Sequence, residues 1–175
     1  MLQIQTQRVR LVALSLAQLK LLLLDREQLE RVLSLPVSAG LPPEPARRAI
    51  EIKISRMVLI PEEDHPWYTY WLIVIAGQSL GAGLIGFKGA PDERGEVEIG
   101  YGIEPAYTGK GYVTEAVMAC ITWAFRQPGC KSVIAETQKD NMGSIRVLEK
   151  AGLQKVQDTG SMLIWRITNM GGHNG

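Results

Sequence analysis

The sequence predicts an α/β (α+β) fold in which a mixed, mostly antiparallel central sheet is flanked by helices. Three strand-like apolar runs follow one another between positions 67 and 103, separated by turns that contain Gly, Ser, Asp and Glu. After position 103, helix-like and strand-like segments alternate. Strands joined by tight turns pair antiparallel, whereas a strand that follows a helix rejoins the sheet through a crossover. The two patterns together therefore predict a mixed sheet with helices on its faces.

The first half of the chain predicts one strand, two helices and then the three consecutive strands. Apolar and polar residues alternate in the first segment, and Ser15 caps a leucine-rich helix that Pro36 ends. A proline-rich stretch opens the second helix, and residues 61–66 predict a polar loop. The segments are a strand at 4–11, a helix from 16 to beyond 31, a helix at 46–59, and strands at 67–75, 80–87 and 95–103.

The second half of the chain predicts two helices that alternate with three strands. Pro128 and Gly129 end the first of these helices, and Gly152 closes the second. The segments are helices at 111–126 and 141–151, and strands at 130–137, 153–156 and 161–167.

Length and composition predict a single domain. The chain has 175 residues, of which 46% are apolar and 21% are charged, as in an ordinary globular protein. We expect one domain over residues 1–170 and a disordered tail at 171–175, because the tail has no apolar side chain. The formal net charge of +1 gives no overall field that would steer nucleic acid or an anionic membrane.

The two cysteines, Cys120 and Cys130, lie outside metal-ligand spacings. They predict buried free thiols in a reducing compartment. The N-terminus shows no secretory signal pattern, and the apolar run at 19–24 is too short to span a bilayer. We therefore expect a cytoplasmic protein with no metal ion and no membrane partner.

The segment from Glu98 to Val117 is typical of a strand, a glycine-bearing loop and the opening turns of a helix. The start of a helix leaves backbone N–H groups without partners and carries a partial positive charge. Gly109 and Gly111 in the loop remove the side chains that would keep a pyrophosphate away from the backbone. The segment therefore predicts a binding site for a phosphorylated cofactor.

Three better-known glycine motifs do not account for this part of the chain. A P-loop requires a glycine where the chain has Glu104, and Ser or Thr where it has Gly111. The dinucleotide-like spacing Gly81–Gly86 is followed by a turn instead of a helix. Ser79 fits the nucleophile-elbow pattern but joins two strand-like runs, so we interpret it as a turn residue.

Three motifs follow one another in the second half of the chain. They are Glu98-Ile-Gly-Tyr101, Thr108-Gly-Lys-Gly-Tyr-Val-Thr-Glu-Ala116 and Asn141-Met-Gly-Ser144-Ile-Arg-Val-Leu-Glu-Lys-Ala-Gly152. Through them, residues 97–153 resemble the acetyl-CoA segment of the GCN5-related N-acetyltransferases (GNAT) and look most like the branch that acetylates ribosomal-protein N-termini. Residues 6–11 and 162–167 carry a weaker similarity. The resemblance implies the GNAT acyl-CoA acyltransferase fold, with acetyl-CoA as cosubstrate and no metal.

The resemblance also implies which residues bind the cofactor. The loop backbone would bind the pyrophosphate, and the strand end would pair with the pantetheine arm and hold the thioester carbonyl. Gly100 and Gly102 suit that close approach, although a bulge or twist in the strand accounts for them too. The cofactor residues implied are Tyr101, Gly102, Ile103, Thr108, Gly109, Lys110, Gly111, Tyr112, Val113, Thr114, Asn141 and Ser144.

Acetyl transfer to an amine needs a base for the amine, a polarised carbonyl and an acid for the leaving thiolate. We predict Glu98 as the general base, acting through a water, because it lies nearest the cofactor loop on its strand face. A carboxylate paired with a neighbouring Arg or Lys is the alternative interpretation. The resemblance implies that Ser144 lies near the sulfur as the acid. The tyrosines that compete for this role are Tyr101, Tyr107 and Tyr112.

The sequence thus predicts an acetyl-CoA-dependent N-acetyltransferase that acetylates a primary amine by direct attack in a ternary complex. A non-catalytic acyl-CoA-binding or regulatory domain of the same fold is the alternative. A nucleic-acid-binding module that uses the basic side of the helix predicted at 46–59 is a second alternative. A basic face that is simply exposed to solvent explains the same residues. We expect acetyl-CoA and an amine acceptor as partners, no nucleic acid, and a monomer or homodimer. The basic side of that helix carries Arg47, Arg48, Lys53 and Arg56.

Overall fold

The computed structural model describes residues 1–171 and confirms a mixed sheet flanked by helices. The strands are β1 Gln3–Gln5, β2 Val9–Ala13, β3 Trp71–Ile75, β4 Leu80–Phe87, β5 Glu96–Ile103, β6 Ser132–Gln138, β7 Gln154–Asp158 and β8 Met162–Thr168. The helices are α1 Leu16–Leu24, α2 Arg26–Leu33, α3 Glu44–Met57, α4 His65–Tyr68, α5 Tyr112–Phe125 and α6 Met142–Lys150. Within the described residues, these strands form one eight-stranded sheet in the order β1-β2-β3-β4-β5-β6-β8-β7. The predicted tail lies outside the described residues apart from Gly171.

Neighbouring strands run antiparallel except for β5 and β6, which are parallel and joined through α5. One hydrophobic core lies between the sheet and α5 and α6, and the other lies between the opposite face and α1, α2 and α3. Strand β3 contributes to both, because Trp71 and Ile73 pack into the first core while Leu72 and Val74 pack into the second. Strand β3 is therefore buried on both of its faces.

Two elements predicted near the N-terminus are divided in the structure. The strand predicted at 4–11 is interrupted because the Thr6 hydroxyl donates to the Val9 carbonyl at 2.8 Å and closes a turn. The helix predicted from 16 stops at Leu24, since the Asp25 carboxylate accepts a hydrogen bond from the Gln28 N–H at 2.9 Å and begins α2. Side-chain hydrogen bonds to the backbone therefore interrupt both periodic patterns.

The segment between positions 61 and 70 is more helical than predicted. A 3-10 helix at Glu62–Asp64 leads directly into α4, so the strand predicted from Trp67 begins only at Trp71. The Trp67 ring packs against those of Phe87 and Trp123, with centroid distances of 5.0 and 4.6 Å. Trp67 thus enters the core from a helix. A short run of apolar residues does not by itself distinguish a helix from a strand.

The other predicted elements begin and end within about two residues of the observed ones. The positions of two glycine motifs that the sequence analysis rejected agree with their rejection. Gly81–Gly86 lies inside β4, and Ser79 lies in the turn before it with a φ of +49°.

The parallel pair β5–β6 is short. Its register joins Glu96 to Ser132 and ends where Glu98 meets Ile134, although β5 continues to Ile103 and β6 to Gln138. Beyond Glu98, β5 remains paired with β4, and β6 remains paired with β8. The sheet is therefore open between the ends of β5 and β6.

The basic side of α3 is not uniformly solvated, which corrects the sequence interpretation. The Arg48 side chain is 80% exposed, whereas Lys53 is only 8% exposed because its ammonium turns inward and donates to the Phe87 carbonyl. Cys120 and Cys130 are buried free thiols, as predicted. Among the residues that the structure describes, no helix is long and apolar enough to cross a bilayer. In that part of the chain, no group of three or more His, Cys, Asp or Glu side chains is placed so that it could hold a metal ion.

Candidate functional site

The loop between β5 and α5 presents backbone N–H groups at the start of a helix. Gly109 and Gly111 have φ angles of +73° and +84°, which glycine adopts without strain. Gly111 is the N-cap of α5 and offers no side-chain hydrogen bond, so first-turn N–H groups stay available for an anion. The predicted combination of a glycine loop with a helix start is therefore present.

A cavity of about 440 Å³, termed here the α5–α6 cavity, opens beside this loop. Its walls come from the end of β5, the loop, the first turn of α5 and one side of α6. Of the twelve residues predicted for the cofactor, all except Lys110 line it. The Lys110 ammonium instead lies over the Tyr107 ring, 5.4 Å from its centroid.

The end of β5 offers an unoccupied strand edge along this cavity. Among the described residues, no atom lies within 4 Å of the position that a Cβ would take at Gly100 or at Gly102, so the opposite face of the strand, which faces α3, is open there as well. Because β6 has already separated from β5, backbone groups on that side of Gly100–Ile103 have no partner in the ladder. An extended ligand can therefore lie along β5 as an additional strand would.

The first turn of α6 brings two predicted catalytic residues together. Asn141 caps the helix as predicted, because its side-chain oxygen accepts from the Ser144 N–H at 3.1 Å. The Tyr101 hydroxyl donates to the Ser144 carbonyl oxygen at 3.4 Å. Burial raises the pKa of Tyr101 to about 12, although the hydrogen bond to Ser144 opposes that rise. Tyr101 therefore keeps its proton at neutral pH, and Tyr101 and Ser144 both line the α5–α6 cavity.

Glu98 lies on the face of β5 that carries Gly100 and Gly102, opposite Tyr101, as strand alternation predicts. Its carboxylate is paired with the Lys88 ammonium. The ion pair expected in the alternative interpretation of Glu98 is therefore present. The side chain lies outside the walls of the α5–α6 cavity.

The other two tyrosines proposed as acids also line the α5–α6 cavity, and each has a further contact. The Tyr107 hydroxyl donates to the Gln78 side chain at 2.8 Å, on the turn between β3 and β4. The Tyr112 ring lies under the Arg8 guanidinium, at 5.2 Å from its centroid.

Arg8 and Glu115 brace the loop, and sequence reasoning did not identify either of them. The Arg8 guanidinium contacts the Glu115 carboxylate at 2.9 Å and donates from Nη1 to the Lys110 carbonyl at 2.8 Å. Burial raises the pKa of Glu115, but hydrogen bonds from Thr6 and Arg8 outweigh it and hold that pKa below its usual range. Nothing in the sequence pairs positions that lie 107 residues apart.

Two further basic residues of the α5–α6 cavity were missed. Arg146 and Lys150 line it from α6, one turn apart on the same side of the helix. The available signal was that these two basic residues lie four positions apart in the helix that Asn141 caps. Both cations lie where they can attract the phosphates of a ligand in this cavity.

A second cavity, of about 500 Å³, lies between β5 and α3 and is termed here the α3 cavity. Residues Tyr101, Gly102 and Ile103 line both this cavity and the α5–α6 cavity. The end of β5 is therefore reached from two sides. Glu104 lines the α3 cavity, and none of the hydrogen bonds or ion pairs among the described residues involves its carboxylate.

Comparison with known proteins gives a consistent result. Residues 8–154 match the family model described as an acetyltransferase (GNAT) domain. Over 101 residues, the chain is 34% identical to the uncharacterized N-acetyltransferase YjdG of Bacillus subtilis. That match covers 58% of this chain and 60% of YjdG, so less than two thirds of the relative's length is represented.

Solved structures agree with the fold. The ribosomal-protein-S5-alanine acetyltransferase of Vibrio fischeri superposes with a TM-score of 0.68 at 17% identity, covering 98% of both chains. The ribosomal L7/L12 α-N-protein acetyltransferase RimL, solved with coenzyme A, gives a TM-score of 0.66 at 15% identity. That superposition covers 95% of this chain and 98% of RimL. At these identities the likeness concerns the fold.

Proposed function

The chain belongs to the GNAT acetyltransferase family, and we propose that it transfers an acetyl group from acetyl-CoA to a primary amine by direct attack in a ternary complex. The observation that carries this proposal is the end of β5, which lines one cavity on each face of the sheet. A two-substrate transfer requires two molecules to meet at one point from different sides. The α5–α6 cavity suits acetyl-CoA, and the α3 cavity suits the amine.

Acetyl-CoA recognition follows from the chemistry of the cavity walls. The pyrophosphate would accept from the N–H groups of the loop and the first turn of α5, with Arg146 and Lys150 adding positive charge. The pantetheine amides would pair with the open edge of β5 from Gly100 to Ile103. A backbone N–H at this strand end would polarise the thioester carbonyl.

In the proposed reaction, the amine lone pair attacks the thioester carbonyl carbon. A C–N bond forms, the C–S bond breaks, the nitrogen loses a proton to a base and the thiolate gains one from an acid. We propose Glu98 as the base, acting through a water, because it lies on the same side of β5 as the α3 cavity. Glu104 is the alternative base, because it lines that cavity and is not held by a cation. Ser144 and Tyr101 are the proposed acids.

Turnover with a panel of amines tests the proposal, and the panel includes protein N-termini, polyamines, amino sugars and aminated antibiotics. We expect acetylation of at least one class, with initial-rate lines that intersect when both substrates are varied. Parallel lines would instead indicate a covalent acetyl-enzyme. Binding of acetyl-CoA without acetylation of any amine would support the non-catalytic alternative.

A further inference from the structure

A third cavity continues from the α3 cavity and carries three cations. It has a volume of about 280 Å³ and shares Ala49, Tyr70 and Gly100 with the α3 cavity. Its walls include two basic residues of α3 and one that follows β4, so we term it the basic cavity. These three residues are Lys53, Arg56 and Lys88.

Lys53 is the most constrained of the three cations. It is 8% exposed, its Nζ donates to the Phe87 carbonyl, and it lies 4.6 Å from the centroid of the Tyr70 ring. Burial, together with the charges of Arg56 and Lys88, lowers the pKa of Lys53 to about 7. The cavity therefore brings three basic side chains together where burial and mutual repulsion destabilise the charged form of Lys53.

Two of the three basic residues have no carboxylate partner among the described residues. In the described part of the chain, Glu98 pairs with Lys88, but neither Lys53 nor Arg56 forms an ion pair. Arg56 donates instead to the Lys88 carbonyl at 3.0 Å. A buried cation without an anion is costly, so an arrangement of this kind is well suited to an anionic ligand.

We propose that the basic cavity binds a carboxylate or phosphate group of the acceptor, whose amino group lies in the α3 cavity near Gly102. This inference rests on the proposed function and narrows its acceptor to amines that also carry an anion. The anion would accept charge-assisted hydrogen bonds from Lys53 and Arg56. The aromatic rings of Tyr68 and Tyr70 would pack against the part of the acceptor that joins its two ends.

Matched acceptors test the selectivity. Acetylation rates are compared for ω-amino carboxylates, ω-aminoalkyl phosphates and neutral alkylamines of equal chain length. We expect kcat/KM at least about tenfold higher for one of the anionic series, because a hydrogen bond to a charged group contributes roughly 1.5–3 kcal/mol. The comparison of the two anionic series identifies which anion the cavity prefers. Equal rates for neutral and anionic amines would overturn the proposal.

Variants locate the selectivity in the basic cavity. Lys53→Met and Arg56→Gln should each lower kcat/KM about tenfold to a hundredfold for anionic amines and less than about twofold for neutral ones. Arg48→Gln is the matched control, because Arg48 lies on the same helix but is paired with Glu51 at the surface. Arg56 is exposed, so its variant tests the site independently of any change in stability that Lys53→Met causes. Equal losses for neutral and anionic amines would contradict the assignment.

A binding measurement separates this inference from the proposed function. Inorganic phosphate and glutarate carry the anion without an amine, so their binding requires no catalysis. At least one of them should raise the melting temperature of the wild-type protein and of Arg48→Gln more than that of Arg56→Gln. If no amine is acetylated, the proposed function fails, yet these shifts still decide whether the cavity binds anions. Identical shifts in all three proteins would overturn the anion site.

Discussion

The guanidinium of Arg8 and the carboxylate of Glu115 lie 2.9 Å apart and join the start of β2 to the first turn of α5. Through its donation to the Lys110 carbonyl, Arg8 also holds the loop that precedes this helix. The pair therefore connects the beginning of β2 to the proposed pyrophosphate site.

Arg8→Gln should lower acetyl-CoA affinity about tenfold, because the loop loses the donor that holds the Lys110 carbonyl. Stability without ligand should fall by no more than about 1 kcal/mol, since the pair is partly exposed. Calorimetric titration with CoA and denaturant unfolding measure the two effects. Arg31→Gln, an exposed arginine on α2, is the control. Wild-type affinity in Arg8→Gln would give the pair a structural role alone.

Gly102→Val should block the acceptor without preventing cofactor binding. Position 102 is extended and open, and its side chain would point to the α3 face of β5. We expect kcat/KM for the amine to fall more than about tenfold, while the melting temperature shift caused by CoA persists. Gly77→Val is the matched control, because a Cβ there also meets no atom within 4 Å. Loss of CoA binding in Gly102→Val would move the cofactor to the α3 side.

Glu98→Gln should lower kcat by about 10²-fold or more if Glu98 is the base, with CoA affinity unchanged. Glu104→Gln should then have little effect on kcat. Pre-steady-state rates of acetylation distinguish chemistry from product release. Glu96→Gln is the control, because Glu96 lies on the same strand face and is likewise held by a cation, Arg166. A large loss only in Glu104→Gln would transfer the role of base to Glu104.

Ser144→Ala or Tyr101→Phe should slow turnover about tenfold to a hundredfold, depending on which residue protonates the thiolate. An acyl donor with a more acidic thiol needs less protonation, so it should rescue the variant that lacks the acid. The measurement is the ratio of rates with the two donors. Rates that fall equally with both donors would indicate that the residue supports the helix start and not the leaving group.

Lys53→Met should stabilise the fold most at low pH. The pKa of Lys53 is lowered from 10.5 to about 7, so the folded state resists protonation that the unfolded state accepts. Below pH 7 both states are protonated, and the cost of the buried charge is then complete, at about 5 kcal/mol. Between pH 7 and 10.5 that cost disappears. The difference in unfolding free energy between variant and wild type should therefore shrink as pH rises through this window, as urea titrations can measure.

Local signals in the sequence were sufficient to predict most of the residues that line the α5–α6 cavity. The glycines of the loop, the helix after it and the cap at Asn141 are all determined within a few residues, and eleven of twelve predicted residues share one cavity. Gly111 shows a limit of the same reasoning. It is predicted to leave space for an anion, but its φ of +84° favours glycine at this position whether or not an anion binds.

Long-range contacts account for what sequence reasoning missed. Lys53 occurs on the polar side of a helix, and its burial depends on the approach of β4, whose Phe87 carbonyl accepts a hydrogen bond from its ammonium. The Arg8–Glu115 pair depends on β2 lying against α5. Asp25 is different, because its capping pattern was local but competed with a strong leucine periodicity. The topology of the fold determines the burial of Lys53 and the Arg8–Glu115 pair, and the periodicity of apolar residues in the sequence does not reveal that topology.

The early end of the β5–β6 ladder gives the sheet two interior edges in addition to its outer ones. Strand edges are places where chains add to one another and aggregate. The outer strand β7 is defended by exposed polar and charged side chains such as Lys155 and Asp158. The interior edges are defended differently, because α3 flanks them on one side and α5 and α6 on the other. Because these helices flank the gap on both faces of the sheet, a chain that would complete the sheet has to enter between them.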